Sequence, residues 1–291
     1  MKGRIIKGIA GFYYVYASDD NIYECKARGI FRKNNIKPMV GDIVSLDVLN
    51  EQEMTGNISE VFERKNELIR PAVANVDLAL IVFALKNPEP DYLMLDKLLL
   101  QFKMQKLPVV ICFNKEDLSD KVKINSIFEI YQNSGAGIIF TCAVDGQGIE
   151  ELKKLLTGKL SCVAGPSGVG KSSLINCLRN EVVAGTGDIS KKLKRGKHTT
   201  RHSEIIPIDE STFIMDTPGF GKVDIFIKDR WLLKEYYDEF FLYEQCRFKP
   251  CSHTHEPDCA VKEAVKQGLV AKERYDNYAF LFSELEKIRR Y

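Results

Sequence analysis

Asn114-Lys115-Glu116-Asp117, then Gly165-Pro166-Ser167-Gly168-Val169-Gly170-Lys171-Ser172, then Asp216-Thr217-Pro218-Gly219 occur in that order along the chain. The middle stretch is a glycine-rich loop ending in Lys-Ser, a pattern that turns backbone amides toward phosphate oxygens where a helix begins. The first stretch ends in a carboxylate suited to reading a base. The last pairs a carboxylate with a glycine that permits close approach. In the usual arrangement the phosphate loop opens such a domain and the base-reading loop lies near its end. Here the base-reading stretch comes first, so the expected fold is a phosphate-loop domain in rotated order.

The flanking pattern supports this. Val76–Leu85 and Leu107–Phe113 read as buried strands around an amphipathic helix at Tyr92–Lys106. The alternation continues through Lys123–Asn133, Gly137–Cys142, Gly148–Leu156 and Lys159–Ala164, predicting a doubly wound α/β sheet with ligand loops at the carboxyl ends of its strands. Each nucleotide motif falls on such a loop. Ahead of it, Arg4–Ile9, Phe12–Ala17, Ile22–Ala27, Asp42–Leu49 and Gly56–Phe62 read as short strands separated by polar turns such as Ser18-Asp19-Asp20-Asn21, predicting a small OB-type barrel. Such barrels bind single-stranded nucleic acid through aromatic and basic groups. Phe12, Tyr13, Tyr14, Tyr16, Arg28, Phe31, Arg32 and Lys33 are the candidates, against the plainer expectation that most of the aromatics fill the barrel. From about Lys222 the chain turns helical and aromatic, as at Trp231–Tyr243, and closes on a helix at Lys272–Arg290. Three domains are expected: 1–71 an RNA-binding barrel, 72–221 the rotated nucleotide domain, and 222–291 a helical metal-binding domain.

The site residues follow from chemistry. The strand Leu160–Ala164 and the helix from Lys171 place the loop Gly165, Pro166, Ser167, Gly168, Val169 and Gly170, with Lys171, Ser172 and Ser173, around phosphates, the backbone amides of all but Pro166 being free to donate. Lys171 is expected on the β- and γ-phosphates and the Ser172 hydroxyl on Mg²⁺. Asp216 ends the strand Thr212–Met215, where its carboxylate can hold Mg²⁺, and Gly219 lets an amide approach the γ-phosphate. In Asn114-Lys115-Glu116-Asp117, the Asp117 carboxylate only accepts, so it suits the two adjacent donors of guanine, which adenine lacks. Asn114 bonds the base and nearby loops, the Lys115 stem covers the ring, and Thr141-Cys142-Ala143 offers a backbone amide to the guanine oxygen. GTP is therefore preferred to ATP, and an ATP-dependent kinase is disfavoured.

For water attack the sequence offers Phe220, which can neither donate nor accept a hydrogen bond, after the Asp-x-x-Gly element. Slow intrinsic turnover and external activation follow. Thr199 or Thr200 is expected as the switch-loop Mg²⁺ ligand, with no choice between them. His198 is a candidate for positioning water, weighed evenly against an exposed or RNA-facing histidine. The competing reading is a GTP-liganded RNA-binding module with little turnover.

Cys246, Cys251, His253 and Cys259 bring three thiolates and an imidazole within 14 residues, a donor set for tetrahedral structural zinc, with His255 as competitor for the fourth place. Cys25, Cys112, Cys142, Cys162 and Cys177 stand singly and read as buried small hydrophobes.

Composition limits the partners. A net charge of +2 gives no chain-wide case for nucleic acid. The segment from Asp188 to Arg201 is locally basic, with Lys191, Lys192, Lys194, Arg195, Lys197 and Arg201 against one acid and histidines at 198 and 202, a run weighed evenly between a nucleic-acid contact and a solvated loop. The longest apolar run, Leu78–Leu85, is far short of a membrane helix, and Met1-Lys2-Gly3-Arg4 is followed by no apolar signal core. A cytoplasmic protein and reduced thiols are expected.

Together these elements resemble the circularly permuted ribosome-assembly GTPases of the bacterial RsgA family. The resemblance spans essentially the whole chain, including Gly196-Lys197-His198-Thr199-Thr200-Arg201-His202 and the segment Cys246–Cys259. It implies GTP hydrolysis with Mg²⁺, one structural zinc on Cys246, Cys251, His253 and Cys259, which favours His253 over His255, and binding to the small (30S) ribosomal subunit and its rRNA. It further implies stimulation by that subunit and a role in its late maturation. A monomer is expected.

Overall fold

The computed structural model describes residues 1–29, 31, 36–69, 71–185, 204–216, 225 and 227–288. The candidates Arg32, Lys33, His198, Thr199, Thr200, Gly219 and Phe220, and the basic run, lie outside the described residues. Of the elements described, strands β1 (Lys2–Ile9), β2 (Phe12–Ala17), β3 (Ile22–Ala27), β4 (Ile43–Asn50) and β5 (Thr55–Val61) form a closed barrel in the order β1-β2-β3-β5-β4. Closure comes from β1 pairing antiparallel with β4, and β3 runs parallel to β5. The small ladder β6 (Glu67–Leu68) and β7 (Val73–Ala74) follows.

The strand period fills the barrel. Tyr23 and Cys25 on β3, Val44 and Leu46 on β4, and Ile58 on β5 point inward with Ile5, Val15 and Phe31. Of the aromatics proposed for RNA, Phe31 belongs to the barrel interior, Tyr16 is buried on the opposite face of its strand from Val15 and Ala17, against Phe213, and Phe12, Tyr13 and Tyr14 remain half-buried. At the barrel's end the buried Asp42 accepts Arg64 Nε and Nη2 at 2.7 and 2.9 Å and the Met39 amide at 2.8 Å.

The second sheet has six strands in the order β10-β9-β8-β11-β13-β12: β8 (Leu78–Ala84), β9 (Val109–Asn114), β10 (Gly137–Phe140), β11 (Leu160–Ala164), β12 (Glu204–Pro207) and β13 (Phe213–Asp216). Helices α1 (Tyr92–Met104), α2 (Lys121–Tyr131), α3 (Ile149–Leu156) and α4 (Lys171–Gly185) alternate with them. β8, β9 and β11 are buried at every residue, as strands covered on both faces must be. The sheet departs from a purely parallel reading at its edge, where β12 pairs antiparallel with β13.

The chain divides into two compact units: residues 1–79, 149–164 and 171–219, and residues 80–148, 165–170 and 220–291. In the first, β12 lies beside the barrel: Lys7 on β1 pairs with Glu204 at 3.3 Å, and Tyr16 packs edge-on to Phe213 at 5.7 Å. In the second, Arg230–Tyr236 and Asp238–Tyr243 are 3₁₀ helices rather than the single helix expected, followed by α5 (Ala260–Lys266) and α6 (Lys272–Ile288). Tyr237, Phe240 and Tyr243 recur every three residues, matching the 3₁₀ turn, and all join one core with Tyr278 and Phe282.

Candidate nucleotide site and metal centre

β9 and β10 run parallel with Phe140 opposite Phe113, so Asn114 and Thr141 emerge at the same end. Asn114 is buried, and its side chain joins three loops. Nδ2 donates to the Val169 carbonyl at 2.9 Å, while Oδ1 accepts the Thr141 hydroxyl at 3.3 Å and the Ala143 amide at 3.2 Å. Lys115 adopts a left-handed φ of 64° and opens a single 3₁₀ turn, Glu116–Leu118. Its ammonium donates to the Gly168 carbonyl at 2.7 Å and to the Asn87 carbonyl. The base-reading and phosphate loops are thus stitched together by two side chains.

The phosphate loop needs its glycines for space as well as rotation. A Cβ on Gly165 would meet the Val82 carbonyl oxygen at 2.1 Å, and one on Gly170, at φ 94°, would meet Asn114 Nδ2 at 2.2 Å. Val169 is buried, Pro166 half-buried, and Ser167 and Gly168 exposed. Ser172 and Ser173 are exposed in the first turn of α4.

In the other unit, β11 and β13 are parallel with Val163 opposite Asp216. Lys171 lies close enough to Asp216 to feel its charge. Burial lowers the Lys171 pKa, and the Asp216 carboxylate opposes that fall. A half-buried lysine beside a carboxylate, next to an exposed serine, suits a polyphosphate and a hard divalent cation.

Asp117 is exposed rather than buried, and its Oδ1 accepts the Cys142 thiol at 3.1 Å. The three amides from which one is expected to face the base oxygen are all engaged: Thr141 with the Phe113 carbonyl, Cys142 with the Gln147 carbonyl, and Ala143 with Asn114 Oδ1. Thiol contact with the carboxylate was not legible in the sequence, since the two residues stand 25 positions apart with no motif joining them.

The Cys/His segment converges. The ligand atoms of Cys246, Cys251, His253 and Cys259 lie within 4.8 Å of one another, and all four residues are buried. Cys246 Sγ is 3.8 Å from Cys259 Sγ, and His253 Nδ1 is 3.5 and 3.4 Å from those two sulfurs. Tetrahedral zinc with sulfur at ~2.3 Å and nitrogen at ~2.0 Å needs edges of about 3.8 and 3.5 Å, so the donor set fits the ion in type and spacing. His255 is exposed. Burial, aided by Lys234, lowers the His253 pKa to about 4, which keeps the imidazole in the neutral form a metal requires. The loop is held from behind: Tyr275 donates to the His253 carbonyl at 2.9 Å, Tyr278 to the Ser252 carbonyl at 2.7 Å, and Glu256 accepts the Ser252 amide and hydroxyl at 2.8 Å each. These outer groups sit far along the sequence or on the loop itself, and only the aromatic character of α6 hinted at them. Of the solitary cysteines, Cys25, Cys112, Cys142 and Cys162 are buried, while Cys177 is only half-buried.

Comparison with known proteins is direct. Residues 61–226 match the family model described as RsgA GTPase, and residues 2–58 match the RsgA N-terminal domain. The chain belongs to the RsgA GTPase family. It is accordingly a GTP hydrolase. The small ribosomal subunit biogenesis GTPase RsgA of Agathobacter rectalis is 51% identical over 100% of both chains. That of Caldanaerobacter subterraneus is 47% identical over 99% of this chain and 96% of its own. Among solved structures, YjeQ from Thermotoga maritima superposes with a TM-score of 0.79 at 38% identity, covering 98% of each chain. YloQ, described as a circularly permuted GTPase, does so at 0.76 and 32%, covering 98% of this chain and 95% of its own. The rotated motif order thus places this RsgA-family chain among circularly permuted GTPases. Among its described residues, no helix is long and apolar enough to cross a membrane.

Proposed function

We propose that this RsgA-family GTPase acts on the small ribosomal subunit during its late maturation, is stimulated by that subunit, and grips its rRNA through the barrel, the basic segment and the metal-binding domain. The reading draws on relatives named small ribosomal subunit biogenesis GTPase over the full chain. The observation that carries the nucleotide assignment is the double tie from Asn114 and Lys115 to the carbonyls of Val169 and Gly168. Such ties fix the distance between a base-reading carboxylate and a phosphate-binding loop, and so match one nucleoside geometry.

In this reading Asp117 takes the two guanine donors, Asn114, Lys115 and Glu116 form its loop, and an amide of Thr141–Ala143 turns to the guanine oxygen once the base enters. Residues Gly165 to Ser173 hold the phosphates, with Lys171 countering the charge that develops on the transferred group. Mg²⁺, held by Ser172 and Asp216, neutralises phosphate charge when bound. Gly219, one of Thr199 and Thr200, and His198 complete the proposed γ-phosphate side. Cys246, Cys251, His253 and Cys259 hold a structural zinc, whose closed ligand set leaves no place for a reacting water. The domain division proposed is 1–71, 72–221 and 222–291, for a cytoplasmic monomer.

Phosphate release from GTP, measured with and without purified small subunits and repeated with Lys171→Ala, tests the proposal. Acceleration by subunits in the wild type and its loss in the variant are expected. Unchanged release on adding subunits would remove the stimulated reading.

A further inference from the structure

Asp117 stands on a single 3₁₀ turn and is exposed, so its backbone alone does little to fix the rotation of its carboxylate. Among the described residues one hydrogen bond reaches that group: the Cys142 thiol, 3.1 Å from Oδ1. The sulfur is itself firmly placed. The Cys142 amide donates to the Gln147 carbonyl at 2.9 Å, and its carbonyl accepts the Gly146 amide at 3.0 Å. On the same loop, Asp145 Oδ1 accepts the Gln147 amide at 2.9 Å. The thiol belongs to a buried residue, and burial raises its pKa, so it carries its proton at neutral pH.

We infer that the Cys142 thiol is a positioning residue that sets the rotation of the Asp117 carboxylate and thereby the preference of the site for guanine over hypoxanthine. The inference rests on the reading of Asp117 as the base-reading group. With one oxygen tethered, the carboxylate presents its remaining lone pairs in a fixed plane, where N1–H and the exocyclic amine of guanine are met together. Hypoxanthine offers N1–H alone, which a freely rotating carboxylate can follow without loss. Removing the tether therefore penalises the two-point base more than the one-point base. A change in packing would weaken both alike.

Affinities of guanosine and inosine diphosphate, measured by titration calorimetry on the full-length protein and its variants, separate these outcomes. Cys142→Ala and Cys142→Val, the second filling the volume without a donor, should each weaken guanosine diphosphate binding roughly three- to tenfold, the range of one net hydrogen bond, and leave inosine diphosphate nearly unchanged. Cys142→Ser, with an O–H in place of the S–H, should restore the discrimination. Equal weakening of both nucleotides, or no rescue by serine, overturns the inference. Asp117→Asn tests the underlying reading, because its amide can donate to the C2 carbonyl of xanthine. It should trade guanosine for xanthosine diphosphate. Without that trade the base reading itself falls; with it, an unchanged guanosine-to-inosine ratio in Cys142→Ala removes the thiol's role alone.

Discussion

The Asn114 side-chain amide donates to the Val169 carbonyl at 2.9 Å across 55 positions of sequence. With the Thr141 hydroxyl and Ala143 amide on its oxygen, this buried side chain is the meeting point of three loops. The bond is indifferent to motif order, which explains how rotation of the chain leaves the site geometry intact. Asn114→Ala would strand the Val169 carbonyl and two donors. It should cost about 2 kcal/mol of unfolding free energy, read from urea midpoints, and weaken nucleotide binding further by releasing the phosphate loop. Asn114→Asp should be worse than its size suggests, since a carboxylate oxygen would then face the Val169 carbonyl.

The zinc assignment separates two neighbouring histidines. His253 Nδ1 stands 3.4 Å from Cys259 Sγ, and His255 is exposed two residues later. Metal analysis should find one zinc per chain in the wild type and in His255→Ala. His253→Ala should lose zinc and unfold at lower temperature, and a strong chelator should lower the wild-type midpoint in the same direction. Zinc retained at full stoichiometry in His253→Ala would exclude the imidazole as a ligand.

Much of this arrangement was legible because its signals are local. The barrel strand β2 and β3 limits agree with the reading, since the turn Ser18–Asn21 marks them in the sequence. Helix α1 begins where Asp91 caps it by accepting the Met94 amide, but it ends at Met104 because Lys106, without a glycine to announce it, takes a left-handed φ of 57°. Helix α2 begins at Lys121, earlier than its apolar pattern, because Asp120 caps it. Strand β12 escaped notice: four residues ending in Pro207 carry too little alternation to signal an edge strand. The Cys142–Asp117 contact and the tyrosines behind the metal loop depend on approach through space, and no local pattern encodes them.

Arg274 is fully buried between two carboxylates, donating to Asp96 Oδ1 at 2.5 Å and Glu239 Oε1 at 2.7 Å, with the Tyr237 ring 4.5 Å away. This ties α1, the second 3₁₀ helix and α6 together within one unit. Arg274→Met would leave two uncompensated carboxylates in an apolar core and should cost about 3–5 kcal/mol. Combining it with Asp96→Leu and Glu239→Leu should recover most of that loss. The comparison of single and triple variants by thermal unfolding distinguishes charge isolation from a packing defect, which the triple variant would not repair.

The turn between β12 and β13 carries a pH signature. Asp209 Oδ1 accepts the amides of Ser211 and Thr212 at 2.8 Å each and the Ser211 hydroxyl at 3.1 Å. Partial burial works to raise its pKa, but these donors outweigh burial and leave it below the ordinary carboxylate value. A depressed folded pKa means that the contribution is fully present above the unfolded value of ~3.9 and is lost as pH falls through the folded value. Asp209→Ala should therefore cost about 1 kcal/mol at pH 7, and the gap between wild type and variant should narrow steadily below pH ~4. Asp209→Asn, which keeps an acceptor but no charge, should retain part of the stability and show a flatter dependence. Urea midpoints across this range measure both slopes, and a gap that widened on acidification would contradict the hydrogen-bonded carboxylate as the source of the turn's stability.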